Sequence, residues 1–141
     1  MGNGGTGNTN SPNQVGSSTG WTACGAGYQT SGAIDAGKLY MAGRNNNGEL
    51  GSNVTTTTQS SFQQVGALTT WEDIRPGNGI TLAKKTDGTI WAWGANWIGQ
   101  AGQSTKNPVK YSSPVQIGSQ TDWTAIHLGT TGSATAMGGR A

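Results

Sequence analysis

The chain has 141 residues, of which 10% are charged and 32% hydrophobic, with 25 glycines and a formal net charge of +2. That weak charge excludes a nucleic-acid surface, since no basic run exceeds Lys84-Lys85. One cysteine, Cys24, excludes an intrachain disulfide, and no stretch approaches the ~18 apolar residues of a membrane-spanning helix.

Threonine, serine, asparagine and glutamine fill much of the remainder, a mixture that favours short strands and many turns, so the class expected is all-β. Six tryptophans argue against a disordered chain, which would carry few aromatics and a high net charge. The opening MGNGGTGNTN has neither the basic nor the apolar region of an export signal. Its GNGGTG matches the dinucleotide fingerprint, but neither a preceding strand nor a following helix is signalled, so no cofactor is expected.

An internal repeat organises the chain from Ser11 onward. SPNQVGSSTGW (Ser11 to Trp21) superimposes on SFQQVGALTTW (Ser61 to Trp71) and on SPVQIGSQTDW (Ser113 to Trp123), so the anchors Trp21, Trp71 and Trp123 stand 50 and 52 residues apart. After each anchor an apolar residue comes three on and a glycine six on: Cys24 and Gly27, Ile74 and Gly77, Ile126 and Gly129. Between the anchors, GKLYMAGRNNNGELG (Gly37 to Gly51) matches GTIWAWGANWIGQAG (Gly88 to Gly102). There Gly43 aligns with Gly94, Asn45 with Asn96, Gly48 with Gly99 and Gly51 with Gly102.

In the second copy the strands expected are Trp71 to Arg75, Ile80 to Lys84, Thr89 to Trp93 and Pro114 to Ile117. Asp87-Gly88 signals a two-residue type I′ hairpin between the middle two. Four antiparallel strands every ~45 to 50 residues describe a propeller blade, buried on both faces by its neighbours. The chain therefore divides into a partial blade over 1–20, blades over 21–70 and 71–122, and a partial blade over 123–141.

The pattern G-x-L/I-W/Y-x-x-G-x-N-x-x-G-x-x-G, a polar loop, S-P-x-Q-V and a closing Trp resembles the repeat of the regulator of chromosome condensation (RCC1) superfamily, from about Gly2 to Met137. The resemblance implies a β-propeller serving as a rigid protein-binding platform. The first copy departs from it: Ala42 replaces the second Trp, and Asp35-Ala36-Gly37 reads as a turn with one residue inserted. Propellers need roughly four to eight blades, so this partial propeller leaves open strand edges for other chains to meet. Copies of the same polypeptide or a different protein would supply the rest.

Catalytic chemistry is not signalled. His127 is the only histidine, so a zinc site or a Ser-His-Asp triad would lack its usual members. Cys24 reads as a small core hydrophobe. Asp35, Glu49, Glu72, Asp73, Asp87 and Asp122 fall in turns or beside anchors, with no pair set up for acid/base work. No enzyme, cofactor or metal site is expected. The tryptophans repeat in register and are expected to fill the gaps between blades. Trp97 differs, because it aligns with Asn46 in a loop, and it is the leading partner-binding candidate. Tyr111, Lys106 and Lys110 come next, in the long loop Gln103 to Ser112; the counterpart loop Ser52 to Ser60 carries the run Thr55 to Thr58.

The function expected is a structural, protein-binding module of a virus particle, a bacteriophage capsid decoration, tail or fibre, released by lysis and meeting other virion proteins, its own copies, or a host glycan or receptor. Two alternatives stand beside it. One is a soluble regulator that engages a GTPase or blocks an enzyme; the other is a carbohydrate-binding module stacking sugars on Trp97 and Tyr111.

Overall fold

The computed structural model describes residues 4, 5, 7, 10–55, 57–105, 107–129 and 136–140. Ten strands run in order: β1 Trp21–Ala26, β2 Thr30–Asp35, β3 Lys38–Gly43, β4 Gln59–Gln64, β5 Trp71–Pro76, β6 Ile80–Lys85, β7 Ile90–Ala95, β8 Lys110–Gln116, β9 Trp123–Leu128 and β10 Ala136–Arg140. They form two four-stranded antiparallel sheets, β1-β2-β3-β4 and β5-β6-β7-β8, and a two-stranded sheet of β9 and β10. The first two are complete blades, and the third begins a further one.

Apolar side chains collect between the blades. One cluster joins Ile34, Leu39, Met41, Leu50 and Val65 of blade 1 to Trp71, Ile74, Ala83 and Trp93 of blade 2. A second joins Ile80, Leu82, Ile90, Ala92 and Ala101 of blade 2 to Ile126 of β9. Every residue of β6 is buried, because this strand lies inside the sheet and has a blade on either side. The next strand, β7, is buried too except for the half-buried Trp91, which is why Thr89-Ile-Trp-Ala-Trp93 shows no alternation of apolar and polar residues. Each fully buried Ile or Leu at these junctions contributes about 1.5–3 kcal/mol.

The third strand of each blade carries a bulge. The β3–β4 register shifts between Met41 and Gly43, and the β7–β8 register shifts between Ala92 and Gly94. Gly43 and Gly94 have φ of 111° and 105°, and a Cβ on either would run into the backbone of the preceding hairpin loop. Only glycine fits there. Gly51 meets a different constraint: its Cβ would lie 2.9 Å from Trp93 Nε1, so its small size lets the indole lie flat across the junction.

Four expectations need correction. The turn of the first copy is shorter than that of the second by one residue, not longer: Asp35 pairs directly with Lys38, and Ala36 and Gly37 both take positive φ, as a type I′ turn requires. In the second copy Gly88 N donates to Lys85 O and Lys85 N to Thr89 O, with positive φ at Gly88 only. Asp87 thus sits in a longer turn and hydrogen-bonds the amide and hydroxyl of Thr89. The last strand, β8, begins at Lys110 rather than Pro114, because the bulge at Gly94 lets Tyr111 and Lys110 continue the ladder. Pro114 is tolerated because β8 is the outer strand of its sheet. Finally, the described residues before Trp21 form no strand. The strand-like SPNQV has no third strand beside it among the described residues, and Gln14 and Val15 instead line a depression at Trp21.

Candidate protein-binding face

Strand order places the connections on two opposite faces. The loops 27–29, 44–58, 77–79 and 96–109 lie on one face, and the turns 36–37, 65–70, 86–89 and 117–122 on the other. The first is called the long-loop face, the second the turn face.

Buried asparagines hold the long loops. Asn96 Nδ2 donates to Thr105 O and Pro108 O, both at 3.0 Å, and its Oδ1 accepts from Ala101 N at 3.2 Å. Asn45 does the same in blade 1, donating to Val54 O and Ser52 Oγ and accepting from Leu50 N. The small turns that come next coincide bond for bond: Gly48 N to Asn45 O and Gly99 N to Asn96 O are both 3.3 Å, Gly51 N to Gly48 O and Gly102 N to Gly99 O both 3.0 Å. Blade 2 grips the blade 1 loop from its own strands, since Trp93 Nε1 and Thr81 Oγ1 both donate to Glu49 O, at 2.7 and 2.9 Å. These loops are fixed platforms.

Into this shared frame blade 1 places Asn46 and Asn47, and blade 2 places Trp97 and Ile98. The tryptophan is 57% exposed and the isoleucine 67%. Val109, 53% exposed, stands across the loop, its carbonyl accepting from Asn96 N at 2.7 Å. Tyr28 is exposed on the β1–β2 loop, where its amide donates to Gly77 O of blade 2. Of the seven large hydrophobic side chains exposed among the described residues, Tyr28, Val54, Trp97, Ile98 and Val109 lie on the long-loop face.

The two faces also differ in charge. Among the described residues the cations at the long-loop face are Arg44, whose guanidinium donates to Gln29 Oε1, and the exposed Lys110 at the start of β8. Its carboxylate, Glu49, is buried and accepts from the amide and side chain of Asn47. Asp35, Asp87 and Asp122 lie at the turn face together with Lys38, Lys84 and Lys85, and Glu72 close by accepts from Lys84 Nζ at 2.6 Å. There the Thr89 hydroxyl and amide hold the Asp87 carboxyl below its usual value of 3.8. Lys85 places its ammonium 3.7 Å from the Trp91 ring centroid and 5.0 Å from that of Trp71. Burial pushes its pKa down, partly opposed by Asp87.

No family model matches the chain. Over 106 residues, 73% of its length, it is 31% identical to the X-linked retinitis pigmentosa GTPase regulator of Canis lupus familiaris. Over 104 residues, 72%, it is 33% identical to that of Mus musculus. The chain spans 10% of the length of these relatives. Among solved structures it resembles yeast RCC1 (Prp20) bound to Kap60, with a TM-score of 0.63 at 18% identity over 78% of this chain and 25% of that one. The Saccharomyces cerevisiae Prp20p structure, described with its binding to Gsp1p and histones, gives 0.63 at 20% identity over 76% and 25%. The chain is a segment of an RCC1-like β-propeller.

In that RCC1-like frame the residues singled out by sequence separate. Trp71 is 3% exposed and fills the blade 1–blade 2 junction, meeting Trp91 and Trp93 edge-on at 6.1 and 6.0 Å. Trp123 is half-buried, and Trp21, 36% exposed, touches Tyr40 and Phe62. Cys24 is exposed where its counterparts Ile74 and Ile126 are buried, because no blade covers β1 among the described residues. Trp97 and Lys110 are on the long-loop face; Tyr111 is half-buried and packs against both apolar clusters. Lys106, Thr56 and part of the Gly2–Gly7 fingerprint match lie outside the described residues. Sequence reasoning missed Ile98, Val109 and Tyr28; pairing Asn47 with Ile98 in the repeat alignment was the available signal for the first.

Proposed function

We propose that the chain is a non-enzymatic platform that binds other proteins through its long-loop face. The observation that carries this is the Trp97-Ile98 pair. The equivalent turn in blade 1 makes the same backbone hydrogen bonds with Asn46-Asn47, so the fold does not require the apolar pair, and exposing it has a solvation cost that a contact would recover. The relatives support protein partners of some kind, since the two solved structures are described with Kap60, Gsp1p and histones, and the sequence relatives as GTPase regulators. Sugar stacking by Trp97 and Tyr111 as a pair finds less support, because Tyr111 packs against the core.

Two settings use this face in the same way. In the virus particle suggested by the sparse charge and Gly/Thr/Asn-rich composition, copies or other virion proteins complete the ring and the module leaves the cell by lysis. In a soluble regulator of the RCC1 kind, which the curated relatives favour, further blades of one polypeptide complete it. Photo-crosslinking residues installed singly at positions 97 and 68, in the native host or particle, test the shared claim. Protein crosslinks from Trp97→Bpa and none from Leu68→Bpa on the turn face are expected; crosslinks from position 68 alone would reverse the assignment.

A further inference from the structure

The cations of the long-loop face narrow the kind of partner, an inference that rests on the reading that this face binds protein. We infer that the partner presents an acidic segment with at least one large apolar side chain, which seats against Trp97, Ile98 and Val109 while its carboxylates meet Lys110 and Arg44. Three observations converge on that chemistry.

The apolar patch is local and rigid. Asn96, buried beneath it, ties the loop to Ala101, Thr105 and Pro108, and Asn96 N to Val109 O closes it from the other side. An anchor side chain therefore meets a surface that loses little freedom on binding, which favours affinity. The patch borders Lys110, the residue after Val109, which is exposed and makes no ion pair among the described residues. The only carboxylate of the described long loops, Glu49, is turned inward onto Asn47 and does not offset those cations outside. The opposite face is mixed, with Asp35, Glu72, Asp87 and Asp122 beside Lys38, Lys84 and Lys85. An acidic partner is thus attracted to the long-loop face, and complementary charge sets orientation and association rate more than raw affinity.

Continuity across the blade junction extends the seat. Tyr28 lies over the β5–β6 loop through its bond to Gly77 O, and Arg44 is fixed beside it by Arg44 N to Gln29 O at 2.8 Å and the guanidinium contact to Gln29. A Cβ on Gly79, in that same loop, would stand 3.2 Å from Asn47 Nδ2 and 3.7 Å from the Ala95 Cβ, so the loop bridges the two blades. From Tyr28 to Trp97 there is one surface, with a cation near each end.

A random peptide-display selection against the full chain, with affinities of selected peptides measured by titration, tests the inference. The expected consensus is acidic with an aromatic or branched aliphatic anchor. Trp97→Ser should weaken such peptides by about thirtyfold, and Lys110→Glu by about tenfold with loss of the salt dependence. Circular dichroism and melting of both variants, unchanged from the parent, show that the losses are local. Basic or uncharged peptides that are lost in Trp97→Ser would overturn the acidic chemistry while keeping the face. Selected peptides indifferent to both substitutions, or no selected peptide at all, would overturn it together with the choice of face.

Discussion

Trp21 and Trp71 occupy the same position in successive repeats, so replacing each by alanine isolates the effect of a neighbouring blade. Trp71 is 3% exposed and sits between Ile34, Leu39 and Met41 on one side and Trp93 on the other. Its Nε1 finds no acceptor among the described residues, so the loss is one of packing and not of a hydrogen bond. Truncating a fully packed Trp costs about 3–5 kcal/mol; here the loss also strips a ring from beside the Lys85 ammonium. Trp21 keeps edge contacts to Tyr40 and Phe62, but a third of it already faces solvent. Its loss should cost about 1–2 kcal/mol, scaled from the burial of an aromatic side chain. At ~3 °C per kcal/mol for a chain near this size, Trp71→Ala should melt about 9–15 °C below the parent and Trp21→Ala about 3–6 °C below. Equal shifts in thermal unfolding followed by near-ultraviolet circular dichroism would refute the view that the blade junction, not the strand itself, buries the anchor.

Other substitutions probe the local devices. Asn96→Leu removes three hydrogen bonds from a buried loop anchor, and should cost about 2–4 kcal/mol and speed amide exchange at Ala101 while leaving Leu50 N, the blade 1 counterpart, unchanged. Ala36→Gly relieves a left-handed backbone at φ 47° and should raise the unfolding free energy by about 0.5–1 kcal/mol once the larger unfolded-state entropy of glycine is set against the strain, read as a higher denaturant midpoint. Asp87 is held below its usual value of 3.8 by Thr89, so the stability it contributes is present above pH 3.8 and is lost as the pH falls from there through the folded-state value. Asp87→Asn should therefore lower the urea midpoint at pH 6 and differ less from the parent near pH 3; a constant gap would contradict this.

The repeat made the blades legible. Trp anchors at fixed spacing, the glycines at Gly43 and Gly94, and Gly51 and Gly102 were all visible as punctuation, and each marks a bulge, a turn or a close approach that tolerates no larger side chain. What escaped was set by partners distant in sequence. The start of β8 at Lys110 depends on a bulge in β7, and the turn lengths became clear only when Asp35 was seen to pair with Lys38. Asn45 and Asn96 were recognised as equivalent but not as clamps, because the acceptors Val54, Thr105 and Pro108 lie nine to twelve residues away in a loop of low pattern. The sidedness of apolar groups and charge was hidden altogether, since residues as far apart as Tyr28 and Val109 share a face only after the strands alternate.

Among the described residues, the side of blade 1 away from blade 2 is uncovered. A depression of about 590 Å³ is lined there by Val15, Trp21, Cys24, Ala33 and Phe62 among others. Its counterpart between blades 1 and 2, about 480 Å³, is lined by Val65, Trp71, Trp91 and Pro114 among others. The repeat thus builds the same groove above successive anchors, and in blade 2 the equivalent of Cys24 is covered.

Hydrogen exchange of the full chain, with and without a bound protein or selected peptide, reads most directly which side of the propeller makes the contact. Slowed exchange over 96–105 and 44–54, with the turns 65–70 and 117–122 unchanged, is the predicted outcome. Protection confined to those turns would contradict the assignment of the long-loop face.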